Sequence, residues 1–353
     1  MRKLDRYVGQ GVFLAVCLVA FVLLGLDFAI TFIEEVKKVN EQYTAATLIQ
    51  VLGLQIPGKL AEYLPVSSLI GTLIGLGALA STSEITVMRA AGIPLWRIGY
   101  SACKPVLALA IVGLLVAEYV SPIAEQKANL VDKLQVGVNN DFAITGGSWL
   151  KANGDYVYID AADRDGNLYN ITIYDRENDQ LQAIRTAKRA TQETDNLWTL
   201  HDISSSTFTE SQVVISHDKT LEWQSSLKAD FLYLSTQKPD SLSLSQLYQY
   251  SSFLKEQGLN AGEYELAFWS KVFRPLSSLA LVIVAISTIF GPLRSSTMGG
   301  RIFSGVLIGL AFQNTLYIMG RLSLVSSLPP LVGISLPILV CFVVGLYLLK
   351  RRH

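Results

Sequence analysis

The sequence offers few of the residue patterns that carry out chemistry. Gly53-Leu-Gln-Ile-Pro-Gly-Lys59 is close to a nucleotide-binding P-loop, whose glycines expose backbone N–H groups to phosphates. Leu60 stands where that loop requires a magnesium-binding serine or threonine, and the segment leads into an apolar stretch. There is also no HExxH, no GxSxG and no cluster of histidines and cysteines, which argues against a zinc site and a catalytic triad.

Basic residues at the ends of apolar segments are stronger candidates for a binding site. They are Lys37, Lys38, Lys59, Lys127, Lys133, Lys271, Arg274 and Arg321. Their side chains either reach lipid headgroups and pair with nearby glutamates, or they bind an anionic ligand at one membrane face. Asp27 lies inside the first apolar segment, where a carboxylate is costly, so it is either a functional residue or a polar contact between helices.

The composition is that of a membrane protein. Half of the 353 residues are hydrophobic and only 16% are charged, so the chain is too apolar for an ordinary soluble protein. Its formal net charge is zero, which argues against a nucleic-acid partner, because nucleic-acid-binding domains are usually basic. Cys17, Cys103 and Cys341 lie in or beside different apolar segments and indicate neither a disulfide framework nor a thiolate metal site.

Six apolar segments each approach the ~20 residues that a spanning helix needs. They are residues 11–33, 64–80, 99–120, 268–290, 302–322 and 328–349. Six spans place both termini on one side, where the flanking basic residues are Arg2, Lys3, Arg6, Arg89, Arg97, Lys104, Arg294, Arg301, Lys350, Arg351 and Arg352. By the positive-inside rule we expect that side to be the cytoplasm, so the block between spans three and four faces outward.

Two GxxxG patterns lie within these segments. They are Gly71-Thr-Leu-Ile-Gly75 in the second span and Gly305-Val-Leu-Ile-Gly309 in the fifth. Such glycines let helix backbones approach closely where no hydrophobic effect drives association. The patterns therefore predict helix packing without identifying the partner helix.

The segment between spans two and three has the pattern of a short amphipathic helix. A serine or threonine before Glu84 can cap its start, and Gly92 followed by Pro94 can end it. Such a helix either only joins the two spans or offers a cytoplasmic surface that a motor subunit could grip.

Residues 129–262 form a polar, turn-rich block with strand patterns. Strands are expected at residues 155–160, 168–174, 181–186, 197–200, 213–215, 221–223 and 231–234. Many short strands without intervening helices indicate a sandwich, a jelly roll or an open barrel. Ser243 is expected to cap a helix that stops at Gly258. The expected fold is six transmembrane helices, in residues 1–128 and 263–353, with an inserted all-β domain.

Four segments combine into one pattern that extends over nearly the whole chain. They are Leu4-Asp-Arg-Tyr7, Ser83-Glu-Ile-Thr-Val-Met-Arg-Ala-Ala-Gly92, Trp269-Ser-Lys-Val-Phe-Arg-Pro-Leu-Ser277 and Ile289-Phe-Gly-Pro-Leu-Arg-Ser295 with Met298-Gly299. Together they resemble the LptF/LptG permease family of Gram-negative bacteria, most closely its LptG branch. The resemblance implies a jelly-roll-like periplasmic domain. It also implies a permease subunit of an ABC transporter that extracts lipopolysaccharide from the inner membrane and passes it to a periplasmic protein bridge.

The resemblance implies partners and a location as well. This chain would pair with an LptF-like permease and bind a cytoplasmic LptB-like ATPase dimer. The ATPase would hold ATP and magnesium, so this chain would need no cofactor and would not be an enzyme. LptC-like and LptA-like proteins would form the bridge. The location would be the bacterial inner membrane, with the central domain in the periplasm and both termini in the cytoplasm.

Two groups of site residues follow from the resemblance. The residues of a coupling helix seated in a groove of the ATPase would include Glu84, Met88, Arg89, Ala91 and Gly92. The residues facing lipid phosphates would be Lys37 and Lys38, with Lys59, Lys127 and Lys133 near other basic positions of the family. Thr31 stands where some relatives have a lysine. Lysines at the bilayer surface suit phosphates, and the β-strands are expected to edge an apolar groove for acyl chains.

Two other functions remain open from the residues alone. A membrane-anchored scaffold or receptor, whose β-domain binds a periplasmic partner, would need no ATPase. An intramembrane enzyme is disfavoured by the missing catalytic patterns. Recovery of a cytoplasmic ATPase with the chain would separate a transporter from a scaffold.

Overall fold

The computed structural model describes residues 2–39, 43–136, 148–152, 155–162, 167–177, 180–194, 197–209, 212–225, 234, 237–290, 297–326 and 328–350. The chain divides into two compact units. The helical unit consists of Met1–Asp132, Ser243–Ser251 and Asn260–His353, and the β unit of Lys133–Leu242 and Ser252–Leu259.

Nine α-helices of four or more residues lie within the described ranges. They are α1 (Arg2–Glu35), α2 (Ala45–Ser81), α3 (Glu84–Ala90), α4 (Leu95–Leu115), α5 (Ser121–Val136), α6 (Leu244–Glu256), α7 (Gly262–Ile289), α8 (Met298–Val325) and α9 (Pro330–Lys350). A π-helical turn, Val116–Val120, joins α4 to α5. Within the described residues, six segments are long and apolar enough to cross a membrane, which confirms the six predicted spans.

Helix α2 begins well before the predicted start of the second span at residue 64. The sequence from Gly53 to Lys59 is helical throughout, although Pro57 lies inside it. Backbone N–H groups in the interior of a helix bond to preceding carbonyls, so they are not available to cradle a phosphate. The segment is therefore not a P-loop.

The glycines of the two GxxxG patterns set the packing around α2. A Cβ atom on Gly71 would lie 2.5 Å from the Cα of Val16, and one on Gly75 would lie 3.0 Å from the Cα of Val12. The backbones of α1 and α2 therefore meet without intervening side chains. In α8, a Cβ atom on Gly305 would lie 2.6 Å from a methyl group of Leu73. Both glycine patterns thus bring α2 against a neighbouring helix, as predicted, and they identify the neighbours as α1 and α8.

The described strands of the β unit form one antiparallel sheet in which sequence neighbours pair. The strands are β1 (Ser148–Ala152), β2 (Asp155–Ala162), β3 (Leu168–Glu177), β4 (Gln180–Thr194), β5 (Leu197–Thr209) and β6 (Gln212–Gln224), in the order β1 to β6. This confirms an inserted all-β domain. Among the described strands, each pairs with its neighbours in sequence, which is the order of a meander. Of the predicted strand at residues 231–234, positions 231–233 lie outside the described residues.

A row of polar residues crosses the sheet and interrupts its alternation. Asp160, Asn170, Lys188 and Asp202 lie opposite one another on β2 to β5. The Asn170 side-chain amide donates to the Asp160 carboxylate over 3.3 Å, and Lys188 lies 3.8 Å from Asp202. Asn170 and Asp202 have positive φ angles of 50° and 53°. A left-handed residue redirects the strand, and on both β3 and β5 the buried positions beside this row are three residues apart instead of two.

One face of the sheet forms a filled apolar core. Val157, Ile159, Ile171, Trp198 and Leu200 are fully buried there. The rings of Trp198 and Trp223 lie 6.4 Å apart within the same cluster. These residues form a packed core, and the groove for acyl chains that we expect along the strands stays a prediction.

The helix after the β-strands is capped as the sequence predicts. The Ser243 hydroxyl accepts a bond from the backbone N–H of Gln246, and the Gln246 side chain accepts one from the backbone N–H of Ser243. This reciprocal pair is a capping box. The Glu118 carboxylate, from the π-helical turn after α4, accepts a further bond of 2.7 Å from the Leu244 N–H. The start of α6 is thereby fixed to the third span.

The glycine contact between α1 and α2 gives a stability prediction. Gly71→Ala should lower the stability of the chain by about 1–3 kcal/mol, because the new methyl group meets backbone atoms that cannot rotate away. Gly53→Ala is the matched control on the same helix, since a Cβ atom there meets nothing within 4 Å. The measurement is the Tm of the purified chain in detergent. An equal Tm for the two variants would show that the helices are not in close contact.

Candidate functional site

The basic pair predicted to face lipid lies at the end of α1. Lys37 and Lys38 occupy a short 3₁₀ turn, Val36–Lys38, and both side chains are exposed. Lys38 forms an ion pair with Glu35. Among the residues that the structure describes, no carboxylate lies within ion-pair distance of Lys37. The charge of Lys37 is therefore available to an external anion, whereas that of Lys38 is shared with a neighbour.

Lys59 is neutralised by the intramembrane carboxylate. The Asp27 Oδ1 atom accepts a 2.5 Å hydrogen bond from the Tyr63 hydroxyl and lies 3.6 Å from the Lys59 Nζ atom. Lys59 also lies 5.9 Å from the centre of the Tyr63 ring. Asp27 on α1 is thus a polar contact with α2, which was one of the two interpretations of this residue. It precedes Lys37 by ten residues, or roughly 15 Å along a helix.

The remaining two lysines lie on α5. Lys127 is exposed, and no ion pair joins it to the described part of the chain. Lys133 belongs to the helix, but its side chain lies outside the described residues. Near Lys127, the Glu125 carboxylate accepts a bond from Ser121 and occupies the space that a side chain at Gly58 would need. The glycine before Lys59 therefore serves the packing of α2 against α5.

The other candidate site is the short helix α3. Ile85 and Met88 point into the core of the helical unit, and Met88 is only 8% exposed. Arg89, Ala91 and Gly92 are exposed, and Glu84 is half-buried. The predicted docking residues are therefore divided by the helix periodicity: Met88 anchors α3 to the bundle, and Arg89, Ala91 and Gly92 form its outer surface.

Gly92 is required by the way α3 ends. The backbone N–H of Ile93 bonds to the carbonyl of Met88, and that of Gly92 bonds to the carbonyl of Arg89. This is the Schellman arrangement, in which the residue after the helix adopts a left-handed conformation. Gly92 has a φ angle of +83°, which side chains other than asparagine rarely adopt. The turn fixes the direction in which the chain enters α4.

The opening Leu4-Asp-Arg-Tyr7 motif holds the end of α1 beside α3 and α4. The Asp5 carboxylate accepts a 2.9 Å bond from the Ser101 hydroxyl and lies 3.7 Å from both Arg97 and Lys104. The Tyr7 hydroxyl also lies close to Glu84, at the start of α3. These contacts connect three helices at the same end of the bundle.

Sequence reasoning missed two exposed apolar residues, one within α3 and one at the start of α4. Val87 is 67% exposed and Trp96 is 60% exposed, although both lie next to residues that are buried. Trp96 follows Pro94 at the start of α4. A large apolar side chain on the polar face of an amphipathic helix is the signal that could have identified Val87.

Two comparisons with known proteins give the same description. Residues 6–351 match the family described as lipopolysaccharide export system permease LptF/LptG. The chain is 34% identical over 353 residues to the lipopolysaccharide export system permease protein LptG of Escherichia coli strain K12, with 99% of this chain and 98% of that protein covered. It is 32% identical over 356 residues to the protein of the same description from Haemophilus influenzae strain Rd, with 100% and 99% covered. This chain belongs to the LptF/LptG family of lipopolysaccharide export permeases.

Proposed function

We propose that this chain is the non-catalytic permease subunit of an ABC transporter that extracts lipopolysaccharide from the inner membrane. Energy would come from ATP and magnesium bound by a separate cytoplasmic LptB-like ATPase dimer. The lipid would pass to a periplasmic bridge of LptC-like and LptA-like proteins. The observation that carries the proposal is the family match over residues 6–351, which covers the membrane helices and the β unit together.

The geometry of α3 supports docking of an ATPase. Its inner face is anchored by Ile85 and Met88, so a force on its outer surface is transmitted to the bundle instead of bending a loose loop. Val87 and Trp96 add exposed apolar area beside Arg89, a combination that is typical of protein interfaces. With α3 in the cytoplasm, both termini lie on that side, and the β unit lies in the periplasm.

The helices α1 and α8 support pairing with a second permease and contact with lipid. In each of them, only 17% of the most apolar 18-residue stretch is buried within the chain, whereas the value for α2 is 72%. Apolar helices that the chain leaves uncovered require lipid or another protein as a neighbour. We assign these surfaces to the LptF-like partner and to the acyl chains of the substrate.

Substitution of the lysines tests whether they contact the lipid headgroup. Lys37→Gln should reduce photo-crosslinking of lipopolysaccharide, from a benzophenone residue at Ile33, by roughly tenfold, because a hydrogen bond to a charged group contributes about 1.5–3 kcal/mol. Lys59→Gln should reduce it less, since Asp27 already neutralises that lysine.

Lys3→Gln, an exposed lysine at the opposite end of α1, is the matched control for the lysine series. Assembly of the complex should be the same in all three variants. The headgroup role of Lys37 is wrong if its variant and the Lys3 variant give the same crosslinking yield.

Gly92 tests the coupling helix. Gly92→Val should uncouple ATP hydrolysis from lipid transport, because a β-branched residue in the left-handed conformation costs about 1–2 kcal/mol and the end of α3 must change. Gly92→Asn should retain most transport, since asparagine tolerates this conformation. The measurement is lipopolysaccharide transported per ATP hydrolysed by the complex in proteoliposomes. If the valine variant transports as much lipopolysaccharide per ATP as the unmodified chain, α3 is not the coupling helix.

A further inference from the structure

Arg301 occupies a position that should be unfavourable for a cation. It lies in the first turn of α8, only 3% exposed, and the Thr297 side chain caps the same turn by accepting from the Gly300 N–H. A helix N-terminus carries partial positive charge, and burial of a cation removes its hydration. The residue therefore needs a specific stabilising contact elsewhere.

Arg301 makes such a contact with the C-terminal end of α2. The Arg301 Nη1 atom donates to the backbone carbonyl of Gly77, which lies in the last turns of α2. A helix C-terminus carries partial negative charge, so it suits a guanidinium. The absence of a side chain at Gly77 makes room for the contact, because a Cβ atom there would lie 2.8 Å from Nη1 and 3.1 Å from the Arg301 Cδ atom.

The contact lies at one end of a strip of small residues on α8. Arg301, Gly305 and Gly309 are four residues apart and therefore lie on one helix face. Gly305 meets Leu73 of α2, and Gly309 meets Val66. Glycine against apolar side chains gives close packing but little resistance to sliding along the helix axis. A charged hydrogen bond is directional, whereas van der Waals contacts are not, so Arg301 is the contact in this strip that sets the axial register.

The same turn of α2 leads directly to α3. Helix α2 ends at Ser81 and α3 begins at Glu84, with Ser83 in a left-handed conformation between them. Leu76 and Leu79 of α2 pack in one cluster with Ile85 and Met88 of α3. The last turns of α2 and the whole of α3 thus form a packed corner, and Arg301 binds the α2 side of that corner.

We propose that Arg301 is a positioning residue that fixes the register of α8 against the last turns of α2, so that displacement of α3 is carried to α8. The inference rests on the proposed function for its transport consequence, although the register itself does not depend on it. Loss of the contact leaves α3 able to bind and stimulate an ATPase. It lets α2 move without taking α8 with it.

The register is tested first in the chain alone. A cysteine pair, Val66→Cys with Gly309→Cys, is introduced after Cys17, Cys103 and Cys341 are replaced by alanine. The two positions are in contact, so the pair should form a disulfide readily. Adding Arg301→Met should slow its formation by about tenfold, the factor expected when a charged hydrogen bond is lost. Arg301→Lys, which keeps the charge, should slow it less, and Gly77→Ala should slow it as Arg301→Met does.

The consequence is tested in the assembled complex. Arg301→Met should lower lipopolysaccharide transported per ATP hydrolysed by about tenfold while hydrolysis itself changes less than twofold. Lys3→Met is the control, because it also replaces a basic residue by methionine but at an exposed position outside both predicted sites. It should change neither quantity.

The outcomes separate this inference from the proposed function. An unchanged rate of disulfide formation in Arg301→Met overturns the role in register. A proportional fall of hydrolysis and transport overturns the role in transmission, since it indicates a general loss of folded complex. A wild-type complex that hydrolyses ATP without moving lipopolysaccharide contradicts the proposed function and leaves the crosslinking result as evidence on the register alone.

Discussion

Burial of α2 is the constraint on which the helical unit depends. Its most apolar window is 72% buried, far more than that of α1 or α8. The enclosure is possible because Gly71 and Gly75 admit the backbone of α1, while Gly305 and Gly309 admit the side chains of α2 into α8. Because α2 ends close to α3, the most enclosed helix also receives any displacement that begins at α3.

A second constraint is that charges within the membrane helices need partners. Asp27 is satisfied by Tyr63 and Lys59, and Asp5 by Ser101 with two basic residues. Arg301 is satisfied by a backbone carbonyl. Each of these contacts joins two helices, so the contact that stabilises the charge also fixes the positions of the helices. Lys37 differs, because it is exposed and without a carboxylate near it among the described residues.

The sequence predicted the architecture well, because long apolar runs and turn-bounded strands have few alternative explanations. It missed the early start of α2, since Gln50, Gln55 and Lys59 lower the hydropathy without ending the helix. It ended one strand at Leu200, where β5 continues to Thr209. The left-handed Asp202 interrupts the alternation there, and only tertiary contacts reveal that the strand resumes.

The candidate sites were predicted by residue type more reliably than by orientation. Lys37 and Lys38 lie at the end of α1, and Glu84–Ala90 form the short helix α3, while their roles stay predictions. The pattern could not show that Met88 faces the core or that Asp27 neutralises Lys59, since both depend on which helix lies opposite. The sequence identifies Arg301 only as one of the basic residues that flank the spans on the expected cytoplasmic side. Arg301 can be buried only because Gly77, on α2, has no side chain.

We propose that displacement of α3 passes through α2 to α1 and α8. The most direct measurement is the distance between spin labels at Ile33 and Val325, which are 67% and 89% exposed and lie near the C-terminal ends of α1 and α8. It is made by double electron–electron resonance on the assembled complex with and without ATP. If displacement is transmitted in this way, the distance distribution should shift when ATP binds. Identical distributions in the two states, in a complex that still transports lipopolysaccharide, would contradict it.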